Sequence, residues 1–208
     1  MGLFSRTRKS DTAVAEAPAP TAARDTRPDL THLTGAYTVD PTHSRIGFAV
    51  RHAMVTNVRG AFGVYEGELH LDGSNPSAST ASLVIDVASV DTGQAQRDEH
   101  LRNGDFFAIE EHPSMVFRST GAQRVGDDTF RLTGDLTIKG ITRPVVLDLE
   151  HTGTATDPYG LDRVGFEGGT TIDRTDWGLS YNAALETGGV LVGEKVKLSF
   201  DISAVRQA

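Results

Sequence analysis

The chain contains no cysteine. That excludes a disulfide framework, thiolate metal ligation, thiol redox chemistry and a cysteine nucleophile. No stretch approaches the roughly 18 apolar residues that a membrane-spanning helix requires, so no stable membrane insertion is expected. Arg6, Arg8 and Lys9 are followed by no apolar run, so they do not open a signal peptide. The first six residues also miss the myristoylation pattern, because Arg6 stands where Ser or Thr is wanted. A cytoplasmic location is the resulting expectation. Seven histidines are present, but none falls in a His-x-His, His-x-x-x-His or Glu-x-x-His pattern. His43 and His52, nine residues apart, face opposite sides of a regular strand and cannot share an ion. No metal and no other cofactor is expected. A serine in a recognisable nucleophile elbow is missing too.

What is present divides unevenly. Residues 1–34 are rich in Ala, Pro, Thr and Arg and show no apolar periodicity. They read as a disordered tail, since so little apolar surface cannot offset the entropy of ordering. This tail holds five basic and four acidic residues, leaving 15 basic and 24 acidic in 35–208, a formal charge of −9. Such a field repels nucleic acid and anionic lipid surfaces, and no nucleic-acid partner is expected. Residues 35–208 form a single domain.

Within that domain the dominant period is two. Ser44, Ile46, Phe48, Val50 and His52 share one face, while Arg45, Gly47, Ala49 and Arg51 share the other. An apolar face with a polar residue at each end fits a strand crossing a buried interior. From Val58 to Leu71 the parity changes, with Val58, Phe62 and Val64 on one register and Leu69 and Leu71 on the other. One inserted residue near Glu66-Gly67, a β-bulge, accounts for the switch. Leu83, Ile85 and Val87 alternate, as do Met115 and Phe117. The cleanest stretch runs from Phe130 to Lys139, where Phe130, Leu132, Gly134, Leu136 and Ile138 oppose polar partners. Val145, Leu147 and Leu149 begin a return strand, Val164 to Asp176 forms another, and Val196, Leu198, Phe200 and Ile202 form the last. About eight strands joined by hairpin turns point to an antiparallel all-β domain. Long, bulged strands favour a closed barrel over a sandwich, because closure removes exposed edges.

One segment breaks the pattern. Gln94 to Asn103 contains neither proline nor a β-branched residue, and Gly104 suits a left-handed C-terminal cap. Asp91 or Thr92 serves as the N-terminal cap. Arg97, Asp98, Glu99, His100 and Arg102 crowd this helix. In one reading His100 is a general base oriented by an acid, with Arg97 or Arg102 gripping an anion. In the other, Leu101, Phe106 and Phe107 dock on the barrel while the charges pair locally, as Asp98 and Arg102 do at i,i+4 spacing. The rest of the chain supplies no partner group for catalysis, so bracing is the expectation. His52 reads equally as a polar anchor at a pocket mouth or as a rim histidine satisfied by backbone. Arg174-Thr-Asp-Trp-Gly178 reads as a strand-end bracket, with a cation beside the single tryptophan as the alternative.

These residues resemble the YceI-like family. Asp40-Pro-Thr-His-Ser44 leads into Ile46-Gly-Phe-Ala-Val-Arg-His52, followed by Val58-Arg-Gly-Ala-Phe62, Ser89-Val-Asp-Thr92 and Arg97-Asp-Glu-His-Leu-Arg102. His112-Pro-Ser-Met-Val-Phe-Arg-Ser119, Leu132 through Val145, Gly165-Phe166 and Arg174-Thr-Asp-Trp-Gly178 continue the match in order, over about 36–206. The resemblance implies a lipocalin-like antiparallel β-barrel that binds a polyisoprenoid or similar long-chain amphiphile in an apolar channel, without catalysis. It also implies a homodimer. Many members are exported, and this chain departs from them in lacking a signal peptide. Trp177 stands where phenylalanine is common. If the barrel keeps a cavity, the ligand-contacting residues expected are Ile46, Phe48, Val50, His52, Val58, Phe62, Phe117, Phe130, Leu132, Leu136, Phe166 and Trp177. An enzyme acting on a hydrophobic isoprenoid through His100, His52 and Arg97, or a filled-core interaction module, are the alternatives.

Overall fold

The structure, a computed structural model, describes residues 27–186 and 188–208. Eleven strand segments follow in order: β1 (Gly35–Val39), β2 (Arg45–His52), β3 (Thr56–Phe62), β4 (Tyr65–Leu71), β5 (Thr80–Asp86), β6 (Val90–Asp91), β7 (Ser114–Arg124), β8 (Thr129–Ile138), β9 (Ile141–Thr156), β10 (Asp162–Asp173) and β11 (Val192–Arg206). Among the described residues a single α-helix, α1 (Ala95–Arg102), lies between β6 and β7. The segments make eight staves, because β1 with β2, β3 with β4, and β5 with β6 are successive halves of bent strands. The first stave pairs with β11 through both halves: Val39 faces Ala204, and Phe48 faces Leu198. Every pairing is antiparallel and the sheet closes on itself, as the sequence pattern leads one to expect.

The parity switch in the second stave sits earlier than the sequence suggests. Val64 is 56% exposed and Tyr65 is 4% exposed, so the wall changes register at Gly63-Val64 and not at Glu66-Gly67. The Gly63 amide there donates to Ser89 O at 3.2 Å, a bond to the 3₁₀ turn that joins β5 and β6. Similarly, β10 ends at Asp173, and Arg174–Trp177 is a 3₁₀ turn closed by left-handed Gly178.

The two ends of the barrel are finished differently. At one end, a 3₁₀ turn at Thr31–Leu33 lays Leu30 and Leu33, 4% and 3% exposed, against Tyr37, Val164 and Ala204. Phe130, Phe166 and Leu71 pack around them. The Tyr37 hydroxyl donates to Leu33 O at 2.9 Å, and the Arg206 guanidinium donates to the carbonyls of Thr34 and His32. Gly73 lies so close to this turn that a Cβ would stand 1.7 Å from Leu30 O; glycine is required for the approach. The expected tail therefore ends sooner than residue 34. Its last residues carry two leucines whose burial stabilises by about 1.5–3 kcal/mol each. The remainder of that expectation, 1–26, lies outside the described residues.

Candidate ligand channel

Above the plug the inward faces enclose a cavity of about 660 Å³, within the range of small-molecule sites. Nine of the twelve expected contact residues line it: Ile46, Phe48, Val50, His52, Val58, Phe62, Phe117, Leu132 and Leu136. Two glycines shape the wall. The Phe48 ring lies over Gly60, where a Cβ would meet it at 2.5 Å, and the Phe117 ring lies likewise over Gly134. Flattening both rings along the wall leaves the centre of the barrel empty.

Three expected contacts lie elsewhere. Phe130 and Phe166 sit in the plug cluster, with ring centroids 6.2 Å apart. They share the inward face but lie beyond the cavity floor. Trp177 is buried under the wall, and its indole Nε1 donates to Leu136 O at 3.0 Å, a bond that fixes the ring where it packs. Conversely, Val145, Leu147, Val196, Leu198 and Phe200 line the cavity through the alternation already visible in β9 and β11. Leu101, Phe106, Phe107 and Tyr181 complete it from outside the barrel strands, which strand periodicity cannot reveal.

The crossover closes the gap between β6 and β7. Its cap is Gln94, whose side-chain oxygen accepts from the Arg97 amide at 2.5 Å; neither Asp91 nor Thr92 takes that position. Nor does Gly104 form a left-handed cap, since Asn103 ends the helix in extended conformation. The charges are bound locally. Buried Asp98 accepts from the Thr92 amide at 3.0 Å and from its hydroxyl at 2.5 Å. Arg97 donates to Thr92 Oγ1 and O, and Arg102 donates to the carbonyls of Ala88 and Val90. His100 lies 2.9 Å from Asp105 and meets Phe106 and Tyr181 edge-on. These bonds strap the crossover to β6 and carry the bracing role.

The cavity opens beside α1. Arg51, Gln94 and Gln96 are exposed to solvent yet line it, as does half-buried His52. Across the mouth, buried Arg174 donates to the carbonyls of Gly193, Leu179 and Val192, tying the 3₁₀ turn after β10 to the start of β11. Burial pushes its pKa down from the ordinary value, with Glu194 and Asp173 opposing. Among the described residues the lining includes three arginines and two histidines, and no carboxylate. In a domain of formal charge −9 that is a pronounced segregation.

A quite different polar cluster sits on the outer wall at the β1–β2 bend. Asp40 accepts from Arg163 at 2.7 Å and lies 2.7 Å from His43, while Arg163 also reaches Asp157 at 2.8 Å. The Arg163 guanidinium, then His43, hold the Asp40 carboxyl well below the usual carboxylate range. These residues pin the bend and touch no part of the channel.

The chain matches the model of the YceI-like domain over residues 37–204. A UPF0312 protein of Azotobacter vinelandii is 34% identical over 177 residues, covering 84% of this chain and 89% of that one. Among solved structures, Burkholderia cenocepacia BcnA superposes with a TM-score of 0.70 at 23% identity, over 79% of this chain and 98% of BcnA. A domain from Saccharophagus degradans, described as polyisoprenoid binding and implicated in plant cell wall breakdown, superposes with a TM-score of 0.63 at 19% identity. That match covers 82% of this chain and 98% of the domain. At these identities the structural matches carry the fold.

Proposed function

The chain belongs to the YceI-like family, and from that premise we propose that it binds a polyisoprenoid or similar long-chain amphiphile non-enzymatically, as a carrier or store. The observation that carries this reading is an apolar cavity plugged at one end and open at the other. A ligand of roughly 40 non-hydrogen atoms at about 0.3 kcal/mol per atom gains about 12 kcal/mol. Burial at about 0.8 kcal/mol per methylene supplies that without an ionic contact. The polyisoprenoid-binding description of the Saccharophagus domain supports the same ligand class.

The nine expected residues on the wall are the proposed contacts, with the remaining apolar wall beside them. The enzymatic reading is weakened at Arg97, its anion-binding candidate, which is committed to Thr92. A filled-core interaction module does not accommodate a void of this size. The cytoplasmic placement and a homodimer belong to the proposal as well, and cell fractionation and sedimentation test them.

Protein purified from its native host is expected to release a long-chain lipid on organic extraction, read by mass spectrometry. Consistently empty protein would refute the proposal. Phe48→Asp or Leu136→Asp places a charge on the apolar wall and should abolish loading, whereas His100→Ala should retain it.

A further inference from the structure

Two turns stand side by side at the mouth and carry apolar side chains into solvent. The β2–β3 hairpin turns at Ala53-Met54, where Met54 is 59% and Val55 is 78% exposed. The second turn lies in the 182–191 loop, whose Ala184 and Val190 are bridged and whose Leu191 carbonyl accepts from the Ala53 amide at 2.7 Å. A Cβ on Gly189 would lie 3.4 Å from Met54 Cγ, so the two tips are in contact. Val190 adds a third exposed apolar side chain. Arg51, His52, Leu191 and Val192, the immediate chain neighbours of these tips, line the cavity. The apolar lip is therefore continuous with the channel wall.

Two features set this lip apart from ordinary surface. Ala53 and Met54 both have positive φ, 48° and 63°, in a mirror-image hairpin turn that Asn-Gly would fill without strain. Turn geometry does not call for methionine there. Behind the lip, exposed Arg51 lines the opening, and no described lining residue carries a negative charge to offset it. Tyr159 and Leu161 are also exposed, but they stand at the β9–β10 hairpin on the plugged end, with no opening behind them.

We propose that the lip formed by Met54, Val55 and Val190, backed by Arg51, docks the mouth on an anionic lipid bilayer, from which an apolar cargo enters the channel. The proposal rests on the carrier reading above. Apolar side chains enter the interface while the Arg51 guanidinium meets anionic headgroups. The −9 charge of the domain opposes such a surface but is screened beyond about 8 Å at physiological salt, while Glu186 and Glu194, flanking the second turn, limit the electrostatic part close by. Contact is thus weak and reversible, as release of a carrier demands.

Flotation with vesicles of phosphatidylcholine, and of phosphatidylcholine with a third replaced by phosphatidylglycerol, tests the surface. Uptake of the neutral fluorophore N-phenyl-1-naphthylamine, added from ethanol without vesicles, tests the channel separately. The wild type is expected to float with the anionic vesicles, and Met54→Asp/Val55→Asp to lose about tenfold in vesicle binding with fluorophore uptake unchanged. Arg51→Glu should lower binding to the anionic vesicles alone. Tyr159→Asp/Leu161→Asp should float like the wild type. Met54→Gly relaxes the turn, so it should raise the melting temperature while lowering vesicle binding, an opposition that a purely structural role does not produce. A wild type that takes up fluorophore but never floats, or lip variants that float as it does, would overturn the docking surface. Flotation without fluorophore uptake would support the surface and refute the carrier reading beneath it.

Discussion

The two ends of this barrel are built from the same eight staves, yet one is sealed and the other open. At the sealed end the chain entering β1 folds back as a short turn, and aromatic and leucine side chains meet across the barrel. At the open end β6 does not pair with β7, and a helix with few apolar residues spans the gap. The sealed end is held by burial. The open end is held by side chains that bond to backbone carbonyls, as Arg102 and Arg174 do. Burial is insensitive to detail and costly to undo, whereas a strapped crossover leaves the adjoining wall free to be apolar and empty. Substitutions at the two ends should therefore differ in kind.

The largest effect is expected at the plug. Leu33→Ala removes a fully buried side chain and should lower the unfolding free energy by about 2–5 kcal/mol in urea titrations. Met54→Ala at the mouth, an exposed site, should stay within about 0.5 kcal/mol. Equal losses at the two ends would break the contrast. Gly134→Val comes next, on the wall between them. Its Cβ would stand 2.5 Å from the Phe117 ring and 2.6 Å from Arg118 O, so ring and strand must both shift. Overpacking of that kind costs about 1–3 kcal/mol. It should also reduce ligand loading, because the displaced ring moves toward the cavity.

How far the sequence alone reveals this contrast depends on what each feature is made of. Strand alternation is local, so β2, β8 and β11 are visible and the barrel follows from them. Position along the barrel axis is not local. Phe130 and Leu132 alternate identically on β8, but only register with distant strands puts one in the plug and the other on the channel. The plug was hidden for a related reason: Leu30 and Leu33 are two apolar residues without period, and their partners Val164 and Ala204 lie more than a hundred residues away. Trp177 is harder still, since its place is set by one hydrogen bond to the carbonyl of Leu136, distant in sequence on β8. The crossover was legible as a helix, but the expected Asp98–Arg102 pair does not form, because Thr92 takes the carboxylate and the Ala88 and Val90 carbonyls take the guanidinium. Its cap was not legible, because Gln94 does a task more often given to Asp, Ser, Thr or Asn.

Acid should act at the plugged end before it reaches the outer bend. His151, opposite Phe166 on β10, keeps a buried Nε2 without a hydrogen-bond partner among the described residues. Burial lowers its pKa, against the opposing pull of Asp128. With the folded pKa below the unfolded one near 6.5, the unfolded chain takes the proton first. The contribution is intact above that value and is lost as pH falls from it through the depressed folded pKa. His151→Leu should flatten the stability profile over that window relative to the wild type. Asp40, lowered by Arg163 and His43, adds a second loss only below about 3.8, on the outer wall. Identical profiles for the wild type and His151→Leu would remove the acid sensitivity from the plug.

A modest effect is expected where the charges are most crowded. His100 is 37% and Asp105 is 52% exposed, so their pair is largely solvated and worth at most about 1 kcal/mol. The imidazole also meets Phe106 and Tyr181 edge-on, contacts of about 0.5–1.5 kcal/mol that His100→Phe would largely keep. His100→Ala should therefore lower stability by about 1–2 kcal/mol by thermal melting. His100→Phe should recover most of that and load ligand as the wild type does. If loading instead fell in both variants while stability held, the imidazole itself would be reading the cargo. The open end would then be a recognition site as well as an entrance.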